Sequence, residues 1–396
     1  MIPVVGAGVR TLVMSLFWSF LLFGGMAAYS ELIANSRFLA RSDEVLRRAA
    51  RLEPRVEPLV AERLQAEARR RAALYEEEIE RTHLVDGMVV NLSAKGHMMD
   101  QCDSLLFSSL RYVSLVKLDL KTQANSAWQA IEQSQTDGRW LRHPRCSRST
   151  SRDMILGVLI AMSQAPEGFG EHLSTLMRLV DNNDGFFGSG PIYVSYLSPG
   201  LARFVALLAE RQGYPTTKLP EIIRAGYSTA ELEVLVTQRG FESHLGALTA
   251  WLELELTAKV PLDLSASGTI SELVDRIVSP FAADSLNSQR LGWITDRLIA
   301  ADPSNLFFRY LRLRAAGALT VTARMHMLNE LLNMPHFPSD RLPMNCDRSA
   351  DYLWQRENRG KNQQPLGCNE EYNGTDFLWM AALLLENLPD AGLTNH

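Results

Sequence analysis

The stretch HPRCSRSTSRDMILGVLIAMSQAPEGFGEHLSTLMRLVDNNDGFFGSGPIYVSYLSPGLARFVALLAERQG, residues 143–213, decides the fold that the sequence predicts. Apolar residues recur at helical spacing over 155–162 and again over 201–208. Between these two helices, residues 181–196 are crowded with Asp, Asn, Gly and Tyr, which a packed core does not require. Long polar loops between helices are common places for binding residues, so we expect a site here.

Start and stop signals define both helices. Hydroxyl residues at 149–151 followed by Asp153 predict a helix that begins near Arg152, with a hydroxyl cap and an acid in its first turn. Ser198 and Pro199 are a typical N-cap and first helical residue, and Gly213 is a typical stop. The centre of the chain is therefore predicted to be helical.

The same pattern continues on both sides of this stretch and predicts an all-α domain over residues 86–396. About a dozen apolar segments at helical spacing come in consecutive pairs, and strand-like patterns are confined to residues 87–91 and 192–195. We find no convincing fixed repeat, which disfavours a regular helical array. The pairs are typical of an irregular α/α toroid or a barrel of helical hairpins.

The N-terminus predicts a membrane helix within residues 1–30. Leu12 to Tyr29 form eighteen consecutive residues without a charge, long enough to cross a bilayer. We expect a retained signal anchor, with a cleaved signal peptide as the alternative because small residues follow Met26. Arg10 lies before the segment and Arg37 after it, so the positive-inside rule gives little preference for either orientation across the membrane. A single span before a large domain most simply places that domain outside the cytoplasm.

Residues 31–85 predict a charged helical stalk or a docking pair of helices. Acidic and basic residues are balanced here, and apolar residues are too sparse for a separate core. Pro54 and Pro58 predict one helix before them and a second after them. A solvated surface and a surface for a protein partner both remain open for this segment.

Charge and cysteine content limit the classes of function. A net charge of -5 argues against a nucleic-acid-binding protein. Five Arg within residues 139–152 are the local exception, which suits either an anionic ligand or a solvated loop. The four cysteines are expected to form two local disulfides, Cys102 with Cys146 and Cys346 with Cys368, although four buried thiols are the alternative.

Polar and aromatic residues cluster just before four of the predicted helices. In a ring of hairpins the inner helices present their N-terminal loops at one mouth, so we expect these clusters to converge. They comprise His97, Asp100 and Asp103; Arg148, Arg152 and Asp153; Asn183, Asp184, Tyr193 and Tyr196; and Glu371, Asn373 and Asp376.

Such a set has the chemistry of a sugar site. Aromatic faces stack on sugar rings, polar side chains bind hydroxyls, and two carboxyl groups act as general acid and as base or nucleophile. Asp103, Asp153, Glu371 and Asp376 are the candidate catalytic residues, and the other nine clustered residues are candidates for substrate binding. First-turn acids also stabilise helices without any catalytic role, so a structural interpretation stands beside this one.

Other reaction classes lack their motifs. No histidine pair has HExxH or another metal spacing, no GxSxG elbow is present, and no phosphate-binding glycine loop occurs. Residues 181–185 place a glycine one position too early for an EF-hand. We therefore expect no metal and no cofactor. The prediction is a membrane-anchored hydrolase or lyase acting on an envelope or extracellular polysaccharide, and the alternative is a non-catalytic anchored scaffold protein of the cell envelope.

Overall fold

The computed structural model is mostly helical, which confirms the predicted all-α class. It describes residues 42–52, 56–90, 92–93, 104–136, 138–145, 150–165, 169–183, 197, 199–214, 241–257, 283–333, 370–371 and 373–388. Twelve helices lie within these residues. They are α1 (42–52), α2 (Pro58–Thr82), α3 (Ser104–Lys117), α4 (Lys121–Gln133), α5 (Arg152–Gln164), α6 (Gly170–Asn182), α7 (Pro199–Arg211), α8 (Phe241–Thr257), α9 (Ala283–Ala301), α10 (Leu306–Ala315), α11 (Val321–Leu332) and α12 (Thr375–Leu385).

Short strands form three two-stranded antiparallel pairs. The strands are β1 (Leu84–Val85), β2 (Met88–Val89), β3 (Leu92–Ser93), β4 (Gln135–Thr136), β5 (Arg139–Trp140) and β6 (Glu370–Glu371). β1 pairs with β2, β4 with β5, and β3 with the distant β6, so that Leu92 lies opposite Glu371. The β3–β6 pair connects the segment before α3 to the segment before α12.

The start of α5 and both ends of α7 agree with the sequence signals. α5 begins at Arg152 with Asp153 in its first turn, and α7 begins at Pro199. Gly213 follows α7 with a φ of 68°, a left-handed conformation that favours glycine. α6 runs to Asn182, so the polar loop begins later than the predicted residue 181.

The hairpin β4–β5 corrects one expected helix end. The Asp-Gly pair at 137–138 reads in the sequence as the end of a helix, but α4 already ends at Gln133. Gly138, with a φ of 79°, lies in the turn that pairs Thr136 with Arg139. An Asp-Gly pair between two short extended segments is a strong hairpin signal, because both turn positions favour positive φ.

Several helices run in the same direction. α3 and α5 are parallel, because Gly157 lies against Leu106 near their beginnings and the Tyr112 hydroxyl donates to the Gln164 carbonyl near their ends. α8 and α10 are also parallel. The rings of His244 and Phe308 lie 5.3 Å apart near their beginnings, and Arg314 pairs with Glu255 near their ends.

The ends of six helices meet in one place. Side chains from the last turns or caps of α3, α5, α7, α8, α10 and α12 contact one another there. We call this end of the assembly the C-terminal pole and the opposite end, where these helices begin, the N-terminal pole.

The core lies between the poles and is dominated by large apolar and aromatic side chains. Trp251 and Trp379 are fully buried, with ring centroids 4.8 Å apart, and Phe307 lies 6.1 Å from Trp379. These contacts join α8, α10 and α12. Burial of aromatic side chains of this size is the main stabilising term for such a core.

Helix α2, which precedes residue 85, packs onto this core. Ala68, Ala72 and Ile79 of α2 are buried, and Tyr75 stacks on Phe377 with ring centroids 4.1 Å apart. The predicted break between two helices agrees with the non-helical residues 56 and 57, after which α2 begins at Pro58.

Within the described ranges, no helix is both long and apolar enough to cross a bilayer. The predicted membrane segment at residues 12–29 lies outside these ranges.

Candidate functional site

Part of the predicted site falls within the described residues. Arg152, Asp153, Asn183, Asn373 and Asp376 are described, and Glu371 lies in strand β6. Outside the described residues lie the remaining predicted members, namely His97, Asp100, Asp103, Arg148, Asp184, Tyr193, Tyr196 and the cysteines Cys102, Cys146, Cys346 and Cys368.

Asp153 lies in the first turn of α5 and is partly exposed. The hydroxyl of Ser151, the N-cap residue, donates to the Asp153 carboxylate and caps no backbone N–H. The predicted hydroxyl cap is thus replaced by a bond between the two side chains. A first-turn acid also favours the helix itself, because it lies near the positive end of the helix dipole.

Asp376 occupies the matching position in α12, and it is largely buried. Its carboxylate accepts from the backbone N–H of Phe377 at 2.6 Å. The buried side-chain oxygen of Asn373 accepts from the backbone N–H of Thr375 at 2.9 Å, so this residue helps to shape the turn that begins α12. Both residues thus have structural roles at the N-terminal pole. The position of Asp376 is compatible with a chemical role as well.

Asn183 follows α6, and its side chain is used locally. It is exposed, and its side-chain amide donates to the carbonyl of Leu179 at 2.7 Å. This bond satisfies one of the free carbonyl groups at a helix end. The described contacts of Asn183 are therefore explained by helix termination.

Three buried hydroxyl groups mark the N-terminal pole. Ser104 begins α3, Thr150 precedes α5 and Thr375 begins α12, and each residue is at most 3% exposed. None of the three hydroxyl oxygens has a hydrogen-bond partner within the described part of the chain. Buried polar groups without partners are rare in folded proteins and tend to occur where function requires them. Sequence patterns did not identify these residues, because Ser and Thr at helix starts are ordinary.

Contacts between the connecting segments bring several of the N-terminal loops together. The β3–β6 pair joins the segment before α3 to the segment before α12. The carbonyl of Val85 in β1 lies 3.1 Å from Nε2 of His143, and Arg145 pairs with Asp86 in the adjoining turn. The segment before α5 thus contacts the hairpin before α3.

The C-terminal pole is occupied by an ion-pair network that sequence reasoning missed. Glu255 is its centre, since its Oε1 lies 2.6 Å from Arg314 and 4.0 Å from Lys117, and its Oε2 accepts from Gln164 at 3.2 Å. Lys117 also lies 2.5 Å from Glu386. Cations near helix C-termini offset the partial negative charge of the carbonyl ends, so this network stabilises the meeting of the helices.

Further groups complete the network around Glu255. Arg211 donates to the backbone carbonyls of Glu255 and Leu256, and Arg324 donates to that of Glu386. Burial, with the surrounding charges, raises the pKa of Tyr310 to about 12, so this phenol remains protonated. Glu255 and Glu386 already have cationic partners, which makes this pole a structural element rather than a reaction centre. Glu253 and Glu255 in an otherwise apolar helix were the available sequence signal.

A second polar group, around His172, also has its partners within the fold. Its Nδ1 lies 2.6 Å from the side-chain oxygen of Gln135, and its Nε2 lies 3.0 Å from Glu132. The ring contacts those of Trp128 and Trp140. These contacts fasten α6 to α4 and to the β4–β5 hairpin, and they account for the imidazole without a reaction.

Among the described residues, no group of three or more His, Cys, Asp or Glu side chains is placed to hold a metal ion. Comparison with known proteins adds no functional assignment. No protein-family model matches the chain, and no significant relative is found among the curated proteins.

Proposed function

We propose that the chain is a membrane-anchored hydrolase or lyase that acts on an envelope or extracellular polysaccharide through carboxylate acid–base chemistry. The observation that carries the proposal is the shared end point of α3, α5, α7 and α12 at the C-terminal pole. Each of the four polar clusters precedes one of these helices. Helices that end together begin at the same opposite pole, which supports one common site for the four clusters.

The proposed architecture is an irregular α/α toroid. Its inner helices are α3, α5, α7, α8, α10 and α12, and α4, α6, α9 and α11 each lie between two of these in sequence. α2 packs against both α12 and α3, because Tyr75 stacks on Phe377 and the neighbouring Glu76 pairs with Arg111. Inner and outer helices alternate along the chain, and the last helix, α12, contacts α3 at the beginning of the domain. This arrangement supports a closed ring.

In the proposed site, two carboxyl groups among Asp103, Asp153, Glu371 and Asp376 serve as the acid and the base or nucleophile. Asp153 lies partly exposed in the first turn of α5, and Asp376 lies largely buried in the first turn of α12. The hydroxyls of Ser104, Thr150 and Thr375 supply donors and acceptors for a polyhydroxylated ligand.

The alternative is a non-catalytic scaffold of the envelope, docked through its helical surfaces. The ion pairs and apolar core described above would serve either function equally well. The grouping of three unpartnered buried hydroxyls at the beginnings of α3, α5 and α12 supports the enzyme, whereas other unpartnered buried groups, such as Nε1 of Trp140, Trp251 and Trp379, bear on neither function.

The test is turnover by the full-length protein in detergent on a panel of bacterial envelope and extracellular polysaccharides. The assay measures release of reducing ends or unsaturated ends. The variants are Asp103→Asn, Asp153→Asn, Glu371→Gln and Asp376→Asn, and the control is Asp119→Asn, an exposed carboxylate in the turn after α3 at the C-terminal pole.

We expect two of the four variants to lose at least about a hundredfold in kcat, the typical contribution of a positioned acid or base, with an unchanged melting temperature. The Asp119 variant should retain full activity. Absence of turnover on every glycan would reject the enzyme in favour of the scaffold. Turnover that is equal in all five variants would instead reject the four carboxyl groups as its catalytic residues.

A further inference from the structure

The exposed apolar side chains of the protein are concentrated at the C-terminal pole. Six large hydrophobic residues are exposed within the described ranges, namely Val45, Leu52, Leu59, Val60, Val116 and Val321. Val116 is next to the last residue of α3, and Val321 begins α11 directly after the turn that follows α10. Exposed hydrophobic residues scattered over a surface are ordinary. A group of them at one end of the described structure indicates an interaction surface.

α1 places two further members of the set at this pole. Its Arg47 donates to the carbonyl of Ala316, the C-cap of α10, at 3.1 Å, and Asp43 pairs with Arg312 one turn earlier. α1 therefore runs beside the last turn of α10 and continues beyond it. Leu52, at the far end of α1, is 84% exposed.

α2 places Leu59 and Val60 at the same pole. Its Tyr75 lies at the beginning of α12, and its last residues lead into β1 at the N-terminal pole. Leu59 is sixteen residues before Tyr75, about 24 Å along the helix axis, whereas α12 extends only about 12 Å beyond Phe377. Leu59 and Val60 consequently project past the end of α12.

Charged residues of both signs accompany these apolar ones. Arg51 and Arg63 are exposed on α1 and α2, as are Glu57 and Glu62. Arg48 pairs with Glu44, and Lys121 at the start of α4 pairs with the exposed Asp119. Apolar side chains with a charged rim can enter the boundary between lipid headgroups and acyl chains.

The predicted membrane segment lies close in sequence to α1, which would tether this pole near the bilayer. Twelve residues, 30–41, lie between the apolar segment 12–29 and Ser42, and twelve residues span at most about 40 Å when fully extended. We propose that the C-terminal pole is a lipid-binding surface, in which Leu52, Leu59 and Val60 enter the headgroup region of the bilayer that holds the anchor. This inference rests on the anchor in the proposed function. It orients the N-terminal pole, and with it the candidate site, away from the membrane and toward polymers beyond it.

Photocrosslinking of the full-length protein tests this surface. The photoreactive residue p-benzoylphenylalanine replaces Leu59 in one variant and, as a matched control, the exposed Glu77 of the same helix, about 27 Å farther along it. Both proteins are reconstituted into vesicles of phosphatidylglycerol and phosphatidylcholine in equal amounts and irradiated. Intact-mass analysis then measures lipid adducts and crosslinked chains.

We expect at least tenfold more lipid adduct at position 59 than at position 77. Equal yields at both positions in a protein that is stably embedded would overturn the lipid surface and leave the anchor intact. Crosslinks between two copies of the chain at position 59 would also overturn it and assign the pole to self-association. Failure of the chain to enter vesicles would instead reject the anchored part of the proposed function.

Discussion

The buried hydroxyls of Ser104, Thr150 and Thr375 connect the fold to its chemistry at the scale of single residues. A hydroxyl that is removed from water without a partner lowers stability by about 1–3 kcal/mol, so three of them are costly. They lie at the beginnings of three helices of which α3 packs against both others. The proposed sugar ligand supplies the missing bonds.

Replacement of Thr375 by its isostere tests this assignment. Thr375→Val removes an unpartnered hydroxyl at a fully buried position, so we expect the free energy of unfolding to rise by about 1 kcal/mol. Turnover on the substrate found by the polysaccharide panel should fall at the same time. Urea unfolding and steady-state kinetics measure the two quantities.

Thr295→Val is the matched control, because the buried Thr295 hydroxyl donates to the Leu291 carbonyl at 2.8 Å. Loss of that hydrogen bond should reduce stability by about 1 kcal/mol. Opposite signs for the two substitutions are expected. A loss of stability in Thr375→Val equal to that in Thr295→Val would mean that Thr375 has a structural partner and no ligand role.

At the scale of elements, the parallel pairing of α3 with α5 is a central contact of the fold. Gly157 permits the close approach of these two helices. A Cβ atom at this position would lie 2.8 Å from the Cα of Leu106, a backbone atom that cannot move aside by itself. Both helices are fully buried along this face.

Gly157→Ala should therefore lower the free energy of unfolding by about 1–3 kcal/mol, the usual cost of overpacking. Gly292→Ala is the control, since a Cβ there meets no atom closer than 3.9 Å. It lies inside α9, where alanine is favoured over glycine, and should raise stability by about 0.5–1 kcal/mol. Chemical denaturation of both variants gives the values. A stabilising Gly157→Ala would show that α3 and α5 are not in close contact.

The elements themselves were largely predictable from sequence, because the signals are local. Pro199 and Gly213 delimit α7, and the acid at Asp153 marks the start of α5. The β4–β5 hairpin was missed because its Asp-Gly turn follows a helix directly. The network around Glu255 was not predictable, since it depends on which helix ends meet, and no local pattern encodes that pairing.

For the candidate site, Asp153 and Asp376 lie in the first turns of α5 and α12, yet the sequence could not separate the roles of the polar residues near helix ends. Asn183 caps the end of α6 and Asn373 shapes the turn before α12, both through backbone hydrogen bonds. Such short-range bonds are the usual work of Asn and Asp next to helices. The catalytic, binding and disulfide assignments beyond these residues stay predictions.

At the scale of the whole molecule, the two poles differ in character. The C-terminal pole combines paired charges with exposed apolar side chains, and the N-terminal pole carries partly exposed and buried acids with unpartnered hydroxyls. In the proposals above, the first pole serves attachment and the second chemistry. This polarity follows from parallel helices, because helices that end at one pole begin at the other.

The most direct test is the separation of carboxyl groups at the N-terminal pole in a crystal structure of the protein. We predict that at least two of Asp103, Asp153, Glu371 and Asp376 face one opening with their carboxyl groups about 5–10 Å apart, the range used by glycosidases. A spacing near the lower limit would indicate retention of configuration, and a wider one inversion. Four carboxyl groups that face separate surfaces, with no shared opening, would contradict the account.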